Sequence, residues 1–474
     1  MITLNPVSDQ FRKLLATQVP EDCFRPLSPS HLEDPRGNYV GMKGIVLAPR
    51  TVDEVSTIVR LCAEHLVPIV PIGGGTGLVA GHIMTNGPAP VILSLDRMKA
   101  IRELLPQEDV IVVEAGATLF SVQEAAKEAG LLFPLSLAAE GTCQIGGNLA
   151  TNARGVNVLR YGNMRDLCLG LEVVLPDGQI WHGLSRLRKD NSGFDLRNLL
   201  IGSEGALGII TAATLRLHPR PSGYATALMT IGGSSAALKL LKYAQKLAGS
   251  AISAFELIQG VGLDFLSETM PDLRLPFDKN PEWAVLIDLG LHKGQNGDDI
   301  LLELFEFGLE AGLVNDGLIA QSEGQRTDFW NVREHIPEAN RLIGAVANHD
   351  ISLPLGKIPE FIELASARIQ EIAPLRVNCF GHLGDGNLHF NIFPPRAETP
   401  DAYVSIKPSV DLLVCDLVKD LNGSFSAEHG IGRAKVEMLQ KYGDPAKLFA
   451  IDAIKQALDP SGIMNPGADL PNTQ

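Results

Sequence analysis

The chain lacks several features that would place it quickly. It has six cysteines, scattered and without a CxxC pair. That argues against a disulfide frame and for free thiols in a reducing compartment. Its first fifteen residues, MITLNPVSDQFRKLL, hold no basic region leading into a long apolar stretch, so no secretory leader is expected. No apolar run approaches the roughly 20 residues that span a bilayer. Lys and Arg number 40 against 55 Asp and Glu, a net charge of −15. Phosphate backbones are bound by clustered cations, so nucleic acid is excluded as the main partner. An anionic small substrate is not excluded, because one local Arg or metal outweighs a distant net charge. Repeats and low-complexity segments are missing too. A cytoplasmic protein is expected.

What is present fits an enzyme of two or three domains. The 474 residues are 45% hydrophobic and 20% charged, ordinary for a globular chain. Residues 1–220 are rich in glycine and in short β-branched runs: GIVLAP, PIVPIG, VILSLD, VIVVEAG, GLEVVLPDG and ALGIITAATLRLHP. Helical periodicity interrupts them at VDEVSTIVRLCAEH and LFSVQEAAKEA. The pattern predicts an α+β fold with mixed strands, not regular βαβ alternation. The Pro- and Gly-bearing HPRPSGYAT marks a boundary near residue 220. Longer helices follow it, with the strand WAVLIDLG among them and a terminal helix before the loop DPSGIMNPG.

The most distinctive local feature is PIGGGTGLVAG at residues 71–81. Closely spaced glycines let backbone N–H groups approach a phosphate without interference from Cβ. A plain tight turn is the alternative. Gly75, Gly77 and Ala80 even fit a dinucleotide fingerprint, with Asp96 at the ribose-binding distance. The connection excludes that reading. Only nine residues, HIMTNGPAP, lead to the next strand, and they cannot form the crossover helix a Rossmann unit needs. Two further glycine clusters, GTCQIGGNLATNARG and GSEGALG, suggest three loops closing on one extended cofactor, or else ordinary turns. The latter has no GxSxG spacing, so no nucleophile elbow is indicated.

The second half carries GHLGDGNLHFNIF, in which His382 and His389 flank a Gly-Asp-Gly turn. His389 and Asn391 alternate as on a strand, so they share a face. SAEHGIG follows, with Glu428 beside His429. Two imidazoles and a carboxylate form a common catalytic zinc set, and another histidine can then act as base. Structural, hydrogen-bonded histidines are the alternative.

These segments resemble a known family over nearly the whole chain and in the same order. PIGGGTGLVAG, EGTCQIGGNLATNARGVNVLRYGN and DLRNLLIGSEGALGIITAATLRL are similar to the FAD domain of vanillyl-alcohol-oxidase-type flavoproteins. GHLGDGNLHFN, SAEHGIGRAK and LDPSGIMNPG are similar to the C-terminal half of the D-lactate and D-2-hydroxyglutarate dehydrogenase branch. The resemblance implies a two-lobed FAD-binding domain over 1–220, and a substrate and metal domain with an antiparallel sheet over 221–430. A segment over 431–474 would return to the flavin. FAD would be held non-covalently; His82, just after the glycine loop, reads as solvated or structural rather than as an attachment point. Pro71, Gly73, Gly74, Gly75, Thr76, Gly77 and Leu78 would surround the pyrophosphate. Ser136, Gly141, Thr142, Gly146, Gly147, Asn148 and Thr151 would contact the flavin and its linker. Glu204, Gly208 and Ile209 would lie along the adenosine, and Asn465 would meet the isoalloxazine. His382, His389 and Glu428 match the metal ligands, zinc or alternatively manganese. His429 matches the base, and Arg333 and Asn391 match groups that hold substrate carboxylates.

The implied reaction is oxidation of a D-2-hydroxy acid to its 2-oxo acid. The metal lowers the hydroxyl pKa, His429 takes that proton, and the Cα hydrogen leaves as hydride to flavin N5. Electrons would pass on to an acceptor such as an electron-transfer flavoprotein or a quinone, and a homodimer is compatible with this reading. Two positions depart from the hydroxyglutarate pattern. A Thr is expected four residues after Arg333, and a Lys shortly before DISLP; Pro337 and Asn348 stand there. Arg341, His335 and His349 are nearby candidates to replace them. D-2-hydroxyglutarate or D-malate, and alternatively D-lactate or glycolate, therefore remain open as substrates. A metal-dependent hydrolase and a non-catalytic binding protein are the readings from other classes.

Overall fold

The computed structural model describes residues 3–468, which form two compact units. The first is built from residues up to 155, from 162–220, and from 429 onward. The second comprises Val156–Tyr161 and Pro221–Glu428. The short piece Val156–Tyr161, expected in the FAD domain, sits in the second unit because Arg160 donates to the carbonyl of Gly290 (2.6 Å) and to Ser253 Oγ (3.2 Å).

The first unit contains a four-stranded sheet in the order Phe24–Arg25, Ile45–Leu47, Val91–Ser94, Ile69–Ile72. The first pair is antiparallel and the other pairs are parallel. Helix Val52–His65 makes the crossover between two of these strands. Its Thr51 cap accepts the Glu54 N–H (3.2 Å). Val55, Ile58, Val59 and Cys62 recur at helical spacing and are wholly buried. Each such side chain contributes roughly 1.5–3 kcal/mol. Residues 82–90 contain turns and no helix, as their length and prolines require. A five-stranded antiparallel sheet follows in the order Ile101–Leu105, Val110–Glu114, Ile209–Arg216, Cys168–Val174, Ile180–Gly183.

The second unit is organised on a seven-stranded sheet, antiparallel throughout. Its order is Val314–Ile319, Gly223–Ile231, Trp283–Leu291, Ile252–Gln259, Arg376–His382, Asn387–Phe393, Ala347–Ser352. Successive residues of a strand face opposite sides; one face is apolar, and the other mixes polar groups with a second apolar cluster that includes Ile258, Leu286 and Phe380. Phe255, Leu257, Ile287, Phe390 and Ile392 belong to a large apolar core. The alternate residues Glu256, Asp288, His382, His389 and Asn391 share the other face.

Helix Glu323–Ile343 packs on that polar side by a repeated contact. Arg326, Arg333 and Asn340 are seven residues apart, two helical turns each time. Arg326 bonds Asp288, Arg333 bonds Glu256, and Asn340 accepts from Asn378. The three partners lie on three adjacent strands. Pro337 stands inside this helix. It removes the N–H that would otherwise reach the Arg333 carbonyl one turn back.

Candidate active site

In the first unit the glycine loop lines a cleft open to solvent. Strand Ile69–Ile72 delivers Pro71 to its wall, and Gly73–Gly77 turn away across its floor. A Cβ at Gly74 would overlap the carbonyl oxygen of Thr142, so the two glycine clusters approach more closely than side chains permit. Gly75 has φ +67°, a conformation glycine adopts without strain. Around the positions where Gly75, Gly77 and Gly147 would carry a Cβ there is open space, or contacts no nearer than 3.7 Å. Gln144 also lines the cleft, and its Oε1 is buried without a partner among the described residues. A bare-backbone cradle with an unpaired acceptor fits a phosphate-bearing, hydrogen-bonding cofactor.

His429 lines the same cleft, and the residues after it are fastened to the cradle. Glu204 Oε1 accepts the Ile431 N–H (2.8 Å). Arg433 donates to the carbonyls of Ala80 (3.1 Å) and Gly81 (3.0 Å), and to Asn465 Oδ1 (2.7 Å). Asn465 in turn donates to the carbonyls of Gly81 (2.9 Å) and Glu204 (2.6 Å). These bonds close a circuit through the loop, the His429 segment and the C-terminal turn.

The second unit gathers the other reactive groups. Strands Arg376–His382 and Asn387–Phe393 form the hairpin on which His382 and His389 stand. Glu428 Oε1 lies 3.8 Å from His382 Nε2, and its Oε2 lies 3.9 Å from His389 Nε2. One ligand atom from each of the three falls within 4.8 Å of the others. This donor set suits a divalent ion, zinc above all, with positions left open. Asp350 braces it: Oδ2 accepts the Glu428 N–H (2.9 Å), while Oδ1 accepts from Asn387 (2.9 Å).

Beneath the cluster lies Glu256, 1% exposed. His382 Nδ1–H donates to its Oε1 (2.8 Å) and Arg333 Nε–H to its Oε2 (2.7 Å). Burial alone would push the Glu256 carboxyl up, but His382 and Arg333 outweigh it and hold the pKa down. Burial likewise opposes charge on His382, yet Glu256 at hydrogen-bond distance raises its pKa. Glu428 is raised, first by burial and then by Asp350 and Asp385. Asn391 Oδ1 accepts the His349 backbone N–H (3.2 Å), which turns its amide donors the other way.

Residues 44–183 match the model of the FAD binding domain, and residues 225–468 match that of FAD linked oxidases, C-terminal domain. The chain belongs to the FAD-linked oxidase family. It is an FAD-dependent oxidoreductase. It is 35% identical to the mitochondrial D-2-hydroxyglutarate dehydrogenase of Bos taurus over 99% of this chain and 87% of that one. It is 34% identical to the D-2-hydroxyglutarate dehydrogenase of Stutzerimonas stutzeri (strain A1501), covering 89% and 90%. Among solved structures, p-cresol methylhydroxylase with substrate bound superposes with a TM-score of 0.78 at 16% identity, over 100% of both chains. The 4-ethylphenol oxidase from Gulosibacter chungangensis gives 0.74 at 18%, over 99% of both. These two likenesses give the fold, which is of the vanillyl-alcohol-oxidase type.

In this FAD-linked oxidase the residues named from sequence fall into three groups. Pro71, Gly73, Gly74, Gly75, Thr76, Gly77, Gly146, Gly147, Asn148, Thr151, Glu204, Gly208 and Ile209 line the cleft with His429. Leu78, Ser136, Gly141, Thr142 and Asn465 are not among its lining residues. Asn465 is 1% exposed and its amide is engaged by the circuit, so it braces the cleft wall rather than facing the cleft. Glu204, expected along the adenosine, lines the cleft and also accepts the Ile431 N–H with one carboxylate oxygen. His382, His389, Glu428, Arg333 and Asn391 converge in the second unit.

The three substitutes considered for the missing distal cation are otherwise engaged. Arg341 pairs with Glu338 on the helix surface (2.6 Å). His335 bonds the Asn331 carbonyl (2.7 Å). His349 points to the apolar side, held by Phe390 O (3.1 Å) and Asp411 (3.0 Å). Pro337 and Asn348 are both exposed. The sequence reading missed Gln144 and Glu256. Glu256 left a signal, since it is the one charged residue in the apolar strand ISAFELIQ.

Proposed function

We propose that the chain oxidises a D-2-hydroxy acid to the corresponding 2-oxo acid. The observation that carries this reading is the convergence of His382, His389 and Glu428 beside an Arg333 already oriented by Glu256, in a chain of the FAD-linked oxidases. The hydroxyglutarate dehydrogenases among its relatives support the substrate class.

Each residue has a part. His382, His389 and Glu428 would hold a divalent ion, which when bound would lower the pKa of the substrate hydroxyl. His429, next to Glu428 in the chain, accepts the hydroxyl proton. FAD, when bound in the cleft, supplies the hydride acceptor at N5. Arg333 keeps guanidinium N–H groups beyond the one given to Glu256, and these can grip a carboxylate. The outward amide of Asn391 adds a donor. The absence of a hydroxyl at residue 337 and of a cation at residue 348 favours a substrate whose distal end is short or uncharged, such as D-lactate, over the five-carbon diacid. D-2-hydroxyglutarate and D-malate are the comparison compounds, and glycolate tests the shortest case. Reducing equivalents would leave through an electron-transfer flavoprotein or a quinone.

The test is anaerobic mixing of the flavin-loaded protein with a panel of D- and L-2-hydroxy acids, before and after chelation. Bleaching of the flavin by D-enantiomers, lost on chelation and restored by zinc, is expected. Equal bleaching by L-enantiomers, or indifference to chelator, overturns the reading. Turnover of an ester or amide without flavin would favour a metal-dependent hydrolase instead.

A further inference from the structure

Glu256 hydrogen-bonds both halves of the polar cluster. Its two oxygens are divided between them. Oε1 takes the Nδ1–H of His382 and Oε2 takes the Nε–H of Arg333. The carboxylate is 1% exposed, and the side chains of His382 and Arg333 are each 8% exposed.

We propose that Glu256 is a shared positioning residue, fixing a metal ligand with one oxygen and the substrate-binding arginine with the other. The inference rests on the metal and substrate reading given above. Two consequences follow from hydrogen-bond chemistry. A carboxylate only accepts, so it selects the His382 tautomer whose Nε2 lone pair faces Glu428 and His389. Outer partners of this kind set ligand orientation and tune affinity. The same carboxylate holds Arg333 at its Nε edge. Arg333 also lies 5.3 Å over the Phe380 ring, which fixes the plane of the guanidinium. The spacing between metal and arginine is thereby set by a single side chain whose backbone is central in the sheet.

Glu256→Gln separates this role from a merely structural one. An amide offers one acceptor and one donor, so it cannot serve both partners as the carboxylate does. If it donates to His382 Nδ1, it forces the tautomer whose Nε2 carries hydrogen. Two equilibrium measurements that need no turnover are made on the FAD-loaded protein. One is zinc affinity by competition with a chromogenic chelator. The other is binding of a 2-oxo acid, followed by perturbation of the flavin spectrum. Glu256→Gln is expected to weaken zinc by about 10–100-fold and also to weaken the 2-oxo acid at least tenfold, with FAD content unchanged. Glu256→Asp keeps the charge but is one methylene short of bridging both partners. It is expected to move both affinities in the same direction by less, and it serves if the Gln variant fails to fold. Wild-type affinity for both ligands in either folded variant overturns the proposal. Loss of one affinity alone overturns the shared role. A wild-type protein that takes up no zinc overturns instead the metal reading beneath it and the His382 half of this inference; the Arg333 half still stands or falls on the 2-oxo acid.

Discussion

Arg326 grips Asp288 with two hydrogen bonds of 3.0 Å, seven residues before Arg333 makes the corresponding contact with Glu256. Thr226 and the Trp330 indole share the Asp288 carboxylate of the first pair. Asp288→Asn should therefore lower stability by about 2–3 kcal/mol, since it leaves a charged partner poorly compensated at a 3%-exposed site. Denaturant unfolding would register this, while zinc affinity should not change. A parallel loss of zinc would mean that the helix moves as one body.

In the proposed mechanism, replacing His429 removes the base and leaves the three proposed metal ligands in place. His429→Gln is expected to lower kcat about 10²–10⁴-fold. The flavin absorbance of the purified protein should stay near the wild-type ratio, because the cleft has many other walls. Undiminished turnover would move the proton-accepting role to another residue.

Metal removal should be reversible in one protein and not in another. Chelation should abolish turnover without loss of yellow colour, and added zinc should restore it. His389→Ala should lack turnover before and after zinc. Metal analysis of the two proteins, with activity alongside, checks this.

Substrate length can be tested at the two departing positions. The double change Pro337→Thr with Asn348→Lys restores a hydroxyl and a cation where the hydroxyglutarate pattern has them. It should raise kcat/KM for D-2-hydroxyglutarate relative to D-lactate by about tenfold, equivalent to about 1.4 kcal/mol. A ratio that stays constant would show that these positions do not reach the distal end.

Acid stability should depend on Glu172. This 5%-exposed carboxylate accepts from both Arg102 terminal nitrogens (3.1 and 3.2 Å) and from Thr211 (2.9 Å). Burial raises its pKa, but those partners outweigh burial and the net shift is downward from 4.5. The stabilisation is full above that ordinary value and fades as pH falls through the lower folded one. Glu172→Gln should thus destabilise by about 2 kcal/mol at pH 7 and lose that deficit in acid. Melting curves at pH 7 and below pH 4 make the comparison.

Much of this was legible in the sequence, for reasons that differ from place to place. Val52–His65 has clean helical periodicity, and the helix occupies those bounds. Nine residues with two prolines ruled out a crossover helix, and turns stand there. His382, His389 and Glu428 were grouped by type and motif, and the structure brings their ligand atoms within 4.8 Å of one another. Glu256 was not, because its role exists only where its strand pairs with Arg376–His382, more than a hundred residues later. Asn465 was assigned to the flavin because motif position says nothing of which way an amide points. The commitments of Arg341, His335 and His349 were also invisible, since spacing along a helix or strand cannot show which partner a side chain has already taken.

The circuit through Glu204, Ile431, Arg433, Asn465 and Gly81 has a consequence for the limits of the catalytic machinery. Its last member in the chain, Asn465, lies 36 positions beyond His429, past two intervening helices. Cutting the chain after Met464 would spare every residue that faces a ligand, yet take away both the side-chain oxygen that receives Arg433 and the amide that holds Gly81. Such a shortened enzyme should still recognise its cofactor's phosphates while losing register between cofactor and base. The tail acts as the clasp of the site, and tags or fusions placed at that end deserve the same caution as changes to the glycine loop.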